Sequence, residues 1–430
     1  MALPVGVNAE ISLSAVPIPS FQRPECLVMP NGVPLQILRS DNAEAVRIDI
    51  VIQAGQWKQE KLLQALFTNR LLREGTIHDT SFQLAEKLDY YGAWLELSVS
   101  MHHSFLTLYT LRRFVHETCA LLHEILLCPI FPEKQLDLIR TNNRNQFLIN
   151  NQRGDITARR LLYKTIYGNN HPCGRFAELE DFDAIDINDI RHFYQAHYGS
   201  STSSLFLAGD VNEDVISTVS SYFGVEWGSA QKSYPIPAME SFALSTQGST
   251  IRLSMPTQAQ ASIRMGELMM DVGSEDYYRI RVVNTILGGY FGSRLMKRIR
   301  EEKGYTYGIS SDLITNTRQV LLVINCESVA DKADEVIDEV RHEMERLRNE
   351  LVPDDELAMV RNYMIGEVCR SYEGAFSLID AFIYTHTFGL PVEHIDRTLR
   401  VAATMDSNAI RETARRWLIP DAITSVIVSP

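Results

Sequence analysis

Two hydrophobic periods take turns along the chain, and each change of period marks an element. Apolar residues at every second position over 46–53 predict a strand. The period turns helical over 60–73, around Leu62, Leu63, Leu66, Phe67 and Leu71, and Gly75 ends that helix. Ahead of both, CLVMPNGVPLQILRS is a hairpin turning on Asn31-Gly32, behind a proline-containing arm of residues 1–25. Ser81 caps a second helix that Gly92 closes, and WLELSVSMHHSFLTLYTL is a hairpin of two strands. Helical period returns in HETCALLHEILL, which Pro129 stops, and over 131–167, with a break near Gly154. Asn188 opens a helix running to Tyr198, the strand SSLFLAGDV follows, and residues 214–223 are helical.

Residues 230–249 carry prolines and small polar residues with no period, so they are expected to be a linker between domains at 1–229 and 250–430. Past the linker the order restarts: a strand at 260–269, a helix at 276–287, another strand, then helices at 331–347 and 353–372. The closing strand TSVIVS matches LFLAGD of the first half in place. Similar size and order point to an internal duplication. The expected class is α+β: two homologous domains, each a mainly antiparallel sheet with helices on one face.

One stretch, residues 287–311 (LGGYFGSRLMKRIREEKGYTYGISS), reads as a compact unit. Gly288, Gly289 and Gly292 make a turn, and Ser293 is placed to cap a charged helix over 293–303. Gly304 sits where a left-handed residue ends a helix, and strand period resumes from Tyr305. Arg300 is therefore in the last helical turn and Tyr307 on the strand it feeds. A guanidinium and a phenol both donate to a carbonyl. The glycines serve either as a tight turn or as a place where a peptide approaches the backbone closely.

Composition narrows the partners. A net charge of −13 argues against nucleic acid. No apolar run reaches membrane-spanning length, and the first residues lack the basic start of a secretion signal. Six scattered cysteines without a CxxC pair look like reduced thiols, so a cytoplasmic protein is expected. His116, Cys119 and His123 share a helical face, but the apolar neighbours and non-standard spacing favour core over metal. His102 and His103 are expected on opposite faces of a strand, and His171-Pro172 in a loop.

QASIRMG at 260–266, LGGYFGSRL at 287–295 and IREEKGYTYG at 299–308 resemble the C-terminal half of the pitrilysin/insulinase metallopeptidases, whose zinc motif is inverted. AGQW, the helix ending in EGT, NHPCGR and FLAGDV follow the family's order in the first half. The resemblance implies two such chains, or one doubled chain, enclosing extended peptides. In active members an HxxEH helix binds zinc, with a glutamate from a later helix as third ligand. Here Leu66, Asn69 and Arg70 stand at the first His, the Glu and the second His, and no carboxylate lies between Asp137 and Asp155. Leucine cannot ligate, and arginine keeps its proton. Zinc is therefore not expected in this chain.

Arg300 and Tyr307 remain at the family's substrate-binding pair, with Gly288 and Gly289 beside them. The resemblance thus implies a non-catalytic, substrate-binding subunit of a heterodimeric zinc peptidase. Its partner is a homologous zinc-motif chain, with a second copy of this chain as the alternative. The competing expectation is a structural scaffold or peptide-binding chaperone.

Overall fold

In the computed structural model, residues 18–40, 44–228, 230 and 248–430 are described, so most of the expected linker and the start of the arm lie outside them. The first half holds β1 (Glu25–Val28), β2 (Pro34–Arg39), β3 (Ala45–Ile52), β4 (Trp94–Val99), β5 (Ser104–Leu111) and β6 (Ser203–Gly209). The second holds β7 (Thr250–Ser254), β8 (Ala261–Asp271), β9 (Thr306–Ile314), β10 (Gln319–Ser328) and β11 (Thr424–Ser429).

These strands form two sheets, ordered β1-β2-β6-β3-β5-β4 and β7-β11-β8-β10-β9. Without β1, the first order maps onto the second strand for strand. In each, one pair is parallel, β2 with β6 and β7 with β11, and the other pairs are antiparallel. The expected correspondence of TSVIVS with LFLAGD is the equivalence of β11 and β6. Two α+β halves of one topology are what duplication produces.

Each sheet packs one face on its own half's helices. In the first half, Ile48, Ile50 and Leu106 of the sheet meet Phe67, Leu122, Phe193 and Val219 of the helices. In the second, Met265, Ile324 and Ile427 meet Val283, Val340 and Ile410. The opposite faces are covered by exchange. Helix Gly154–Tyr167 lays Ala158, Leu162 and Ile166 on Leu321, Val323, Val426 and Val428 of the second sheet. Helix Ala375–Thr387 lays Leu378, Ile379 and Phe382 against Leu38, Val51, Phe206 and Ala208 of the first. That arrangement goes beyond the one-faced cover expected from the sequence, and it ties the halves together through apolar burial.

Local differences from the expected elements have local causes. Thr80, not Ser81, caps the helix Ser81–Tyr90, forming a reciprocal box with Gln83. Asp186, not Asn188, caps Ile187–His197, accepting from the amides of Asn188 and Asp189. The first helix starts only at Gln64, because Leu63 adopts a left-handed φ of 73° ahead of it. His102 and His103 lie in the β4–β5 turn and not in a strand, and both are buried. Gly55 packs so close to that turn that a Cβ there would stand 2.3 Å from the His102 carbonyl carbon. Helices Ala375–Thr387, His394–Thr404 and Ser407–Trp417 had no counterpart in the sequence reading.

Candidate functional site

Helix Gln64–Leu71, where the resemblance leads one to expect a zinc-binding helix, carries none of that chemistry. Leu66 packs on the first-half core. Asn69 is fully buried, and its Nδ2 donates to the Phe105 carbonyl at 3.4 Å. Arg70 donates to the Asn143 side-chain oxygen on helix Glu133–Asn150, the later helix on which a third ligand is expected. Burial, helped by Arg73, pushes the Arg70 guanidinium below its ordinary value, yet an arginine stays a cation. A hydrocarbon, a donated amide and a cation do not fit zinc. Among the described residues no group of three or more His, Cys, Asp or Glu is placed to hold a metal ion.

The stretch around Arg300 is built differently from a regular helix. Residues Met296–Glu302 form a π-helical segment, seen in the Lys303 amide donating to the Arg298 carbonyl at 3.2 Å. Gly304, at a φ of 68°, ends it as expected, and the Tyr305 amide reaches back to the Ile299 carbonyl at 3.0 Å. Ser293 does not cap by its side chain: its buried Oγ has no partner, while its carbonyl accepts from the Lys297 amide.

Arg300 lies over the Phe291 ring at 4.7 Å, with Glu301 3.9 Å from it. Tyr307 is on β9, the edge strand of the second sheet. Register slips between Cys326↔Ile309 and Ser328↔Thr306, so Tyr307 and Gly308 together face the single residue Glu327. This bulge separates the two residues that simple alternation would put on one face: Ile309 is 4% exposed and Tyr307 91%. Among the described residues the Tyr307 hydroxyl has no intramolecular hydrogen bond.

Gly288 is where helix Glu275–Leu287 meets β9: its carbonyl accepts from the Ser311 amide at 3.0 Å, and a Cβ would stand 2.8 Å from that nitrogen. Gly289 leaves its helix equally tightly, with 2.8 Å from an added Cβ to the Thr285 Cα. Both glycines therefore have a packing requirement of their own.

The other candidates are structural. Cys119 is core, its thiol pushed up to about 12 by burial, while His123 packs on Tyr222 and Phe223. His116 lies 3.3 Å from the Tyr222 hydroxyl. His171 accepts from the Cys173 amide at 3.0 Å and stacks on Tyr167. Burial lowers His102 to about 4 and His103 to about 3, so both are neutral near pH 7.

Sequence reasoning missed a cavity of about 390 Å³ beside the altered helix. Leu62, Leu63, Leu66 and Met101 give it apolar walls, and Arg159 and Arg175 bring charge. Leu66, AGQW through Gln56, and NHPCGR all touch it, but none of them signalled a cavity or a role for Arg175. Arg159 is one of an Arg-Arg doublet, and nothing local distinguishes it from its neighbour.

Residues 184–364 match the family described as the Peptidase M16 inactive domain. The "Uncharacterized zinc protease YmxG" of Bacillus subtilis is 21% identical over 352 residues, covering 81% of this chain and 84% of that one. The "Non-peptidase homolog YmxG" of Helicobacter pylori is 25% identical over 257 residues, 59% of this chain and 57% of that one. The solved M16 inactive domain from Pseudomonas fluorescens superposes with a TM-score of 0.85 at 20% identity, covering 95% of this chain and 98% of that one.

Proposed function

We propose, for a chain that resembles the M16 peptidases and matches their inactive domain, that it is the non-catalytic, substrate-binding subunit of a heterodimeric zinc peptidase. The carrying observation is Tyr307: 91% exposed, at a bulge on an edge strand, with a hydroxyl free to donate. Tyr90 is 81% exposed as well, so it is the bulge on an edge strand together with the free hydroxyl that sets Tyr307 apart. Arg300 follows from the same unit, since the Gly304 cap and the Ile299–Tyr305 hydrogen bond join the π segment to β9.

In this reading Arg300 and Tyr307 donate to the backbone carbonyl of an extended peptide. Donors held on rigid elements stabilise a developing oxyanion more than a ground-state carbonyl, which is how such a pair assists hydrolysis. The attacking water needs activation from the homologous partner, whose HxxEH helix supplies zinc. Helix Gln64–Leu71 cannot contribute it, because Leu66, Asn69 and Arg70 offer zinc no suitable ligand.

The test is native mass spectrometry of this chain mixed with a zinc-motif homologue from the same genome. The expected species is a one-to-one complex containing one zinc, with none bound by this chain alone. Absence of that complex removes the heterodimer. A complex whose peptide hydrolysis ignores Arg300 and Tyr307 supports a scaffold instead.

A further inference from the structure

The cavity beside Leu66 is unusual for its charge. Among the described residues its lining contains no aspartate or glutamate, in a chain of net charge −13. Two cations stand on it, Arg159 from helix Gly154–Tyr167 and Arg175 from the loop after Pro172–Gly174. Both are exposed, and neither guanidinium makes an ion pair or hydrogen bond among the described residues. Their neighbours are spoken for: Arg160 pairs with Glu178 at 2.9 Å, and Arg153 with Asp155 at 2.8 Å. The titratable lining groups add no negative charge, since burial raises both the Tyr163 phenol and the Cys173 thiol, the latter to about 12.

The walls below are hydrocarbon, from Leu62, Leu63, Leu66 and Met101. Leu63 holds its place there in a left-handed conformation, φ 73°, that a leucine adopts only at a cost. A ligand complementary to all of this is an anion joined directly to an apolar group. About 390 Å³ lies within the range of small-ligand sites and admits one side chain with its carboxylate.

We propose that this cavity binds the free carboxyl end of a peptide whose last side chain is apolar, the carboxylate on Arg159 and Arg175 and the side chain on the leucines. The inference rests on the peptide-binding reading above and gives it a polarity: one end of the chain is recognised where a zinc helix has lost its ligands. Guanidinium forks suit carboxylates because they offer paired donors in one plane. The loss of metal-binding residues and the gain of a hydrocarbon wall at Leu66 are then one change.

The experiment compares a decapeptide ending in leucine with a free carboxylate and its C-terminal amide, both labelled at the other end, by fluorescence anisotropy on the full chain. The amide is expected to bind at least about tenfold more weakly, the scale of one lost charge-assisted contact. Arg159→Gln with Arg175→Gln is expected to erase the difference, bringing the acid down to the amide while leaving the amide unchanged. Both arginines are exposed, so folding is not at stake, and circular dichroism checks it. Equal binding of acid and amide, or a preference that survives the double substitution, overturns this site and leaves the peptide-binding reading standing. Failure of both peptides to bind the unaltered chain overturns both.

Discussion

Gly304 and Gly288 show how differently two glycines in one stretch are used. Gly304 has a φ of 68° and open space around its missing Cβ, so only backbone strain opposes a side chain. Gly288 has an ordinary φ sign but stands against the Ser311 backbone. Gly304→Ala is expected to cost about 1–2 kcal/mol, the left-handed penalty. Gly288→Ala is expected to cost more, because strand β9 must shift to admit the methyl group. Thermal unfolding of the two variants gives the order, and the reverse order contradicts this assignment.

Glu267 makes a second prediction at this scale. Burial raises its carboxyl to about 7, against the weaker effects of the Ile419 amide and Arg348. Its folded value is above its unfolded one, so the native state holds the proton more tightly. Stability from this group is therefore present below about pH 4.3 and is lost as pH rises to about 7, on the order of 3 kcal/mol in all. Glu267→Gln should raise the unfolding temperature at pH 8 and leave it near the parent value at pH 4. Equal effects at both pH values would sink the claim.

Individual residues were the part of the candidate site most legible in the sequence. Leu66, Asn69 and Arg70 are excluded as zinc ligands by side-chain chemistry alone. The surroundings of Tyr307 were not legible, because a bulge is set by how β9 pairs with β10, and alternation along one strand cannot reveal it.

Among elements, helix Ala375–Thr387 is one of the two that hold the halves in register, and nothing in the sequence pattern marked it. Its apolar positions, Leu378, Ile379, Phe382 and Ile383, bury against Phe206, Ala208, Leu38 and Val51, all far earlier in the chain, so no local signal announced the partner. At its start Arg47 of β3 bridges the halves, donating to Asp49 at 2.8 Å, to Asp380 at 2.6 Å and to the Phe376 carbonyl at 2.8 Å. Desolvation opposes that charge, but Asp380 and Asp49 outweigh it and raise the guanidinium further above its ordinary value. Arg47→Ala strands the buried Asp49 carboxylate and should cost about 3–5 kcal/mol. Asp380→Asn, at a side chain 59% exposed, should cost about 1 kcal/mol or less. Comparable losses in thermal unfolding would show that Asp49 gains little from Arg47. The π segment was hidden for a related reason: MKRIREE has ordinary helical composition, and nothing in it marks the widened turn that carries Met296 and Ile299 into the core.

At the scale of the molecule, the duplication was legible because element order survives where sequence does not. The two sheets confirm it strand for strand. The exchange of helices across the halves was not legible, since two similar halves could equally stand apart. It places the altered helix of the first half and the Arg300–Tyr307 unit of the second on a single folded body. Among the described residues no helix is long and apolar enough to cross a membrane.

In the division of labour proposed above, this chain supplies carbonyl donors and its partner supplies zinc. The direct measurement is the rate of fluorogenic peptide hydrolysis by the zinc-motif homologue, alone and with this chain at saturation. Activity is expected only in the mixture. Arg300→Ala or Tyr307→Phe is further expected to lower kcat by about a hundredfold, the usual effect of one lost oxyanion donor, with the complex intact. Full activity of the homologue alone, or a mixture indifferent to both substitutions, contradicts that division of labour.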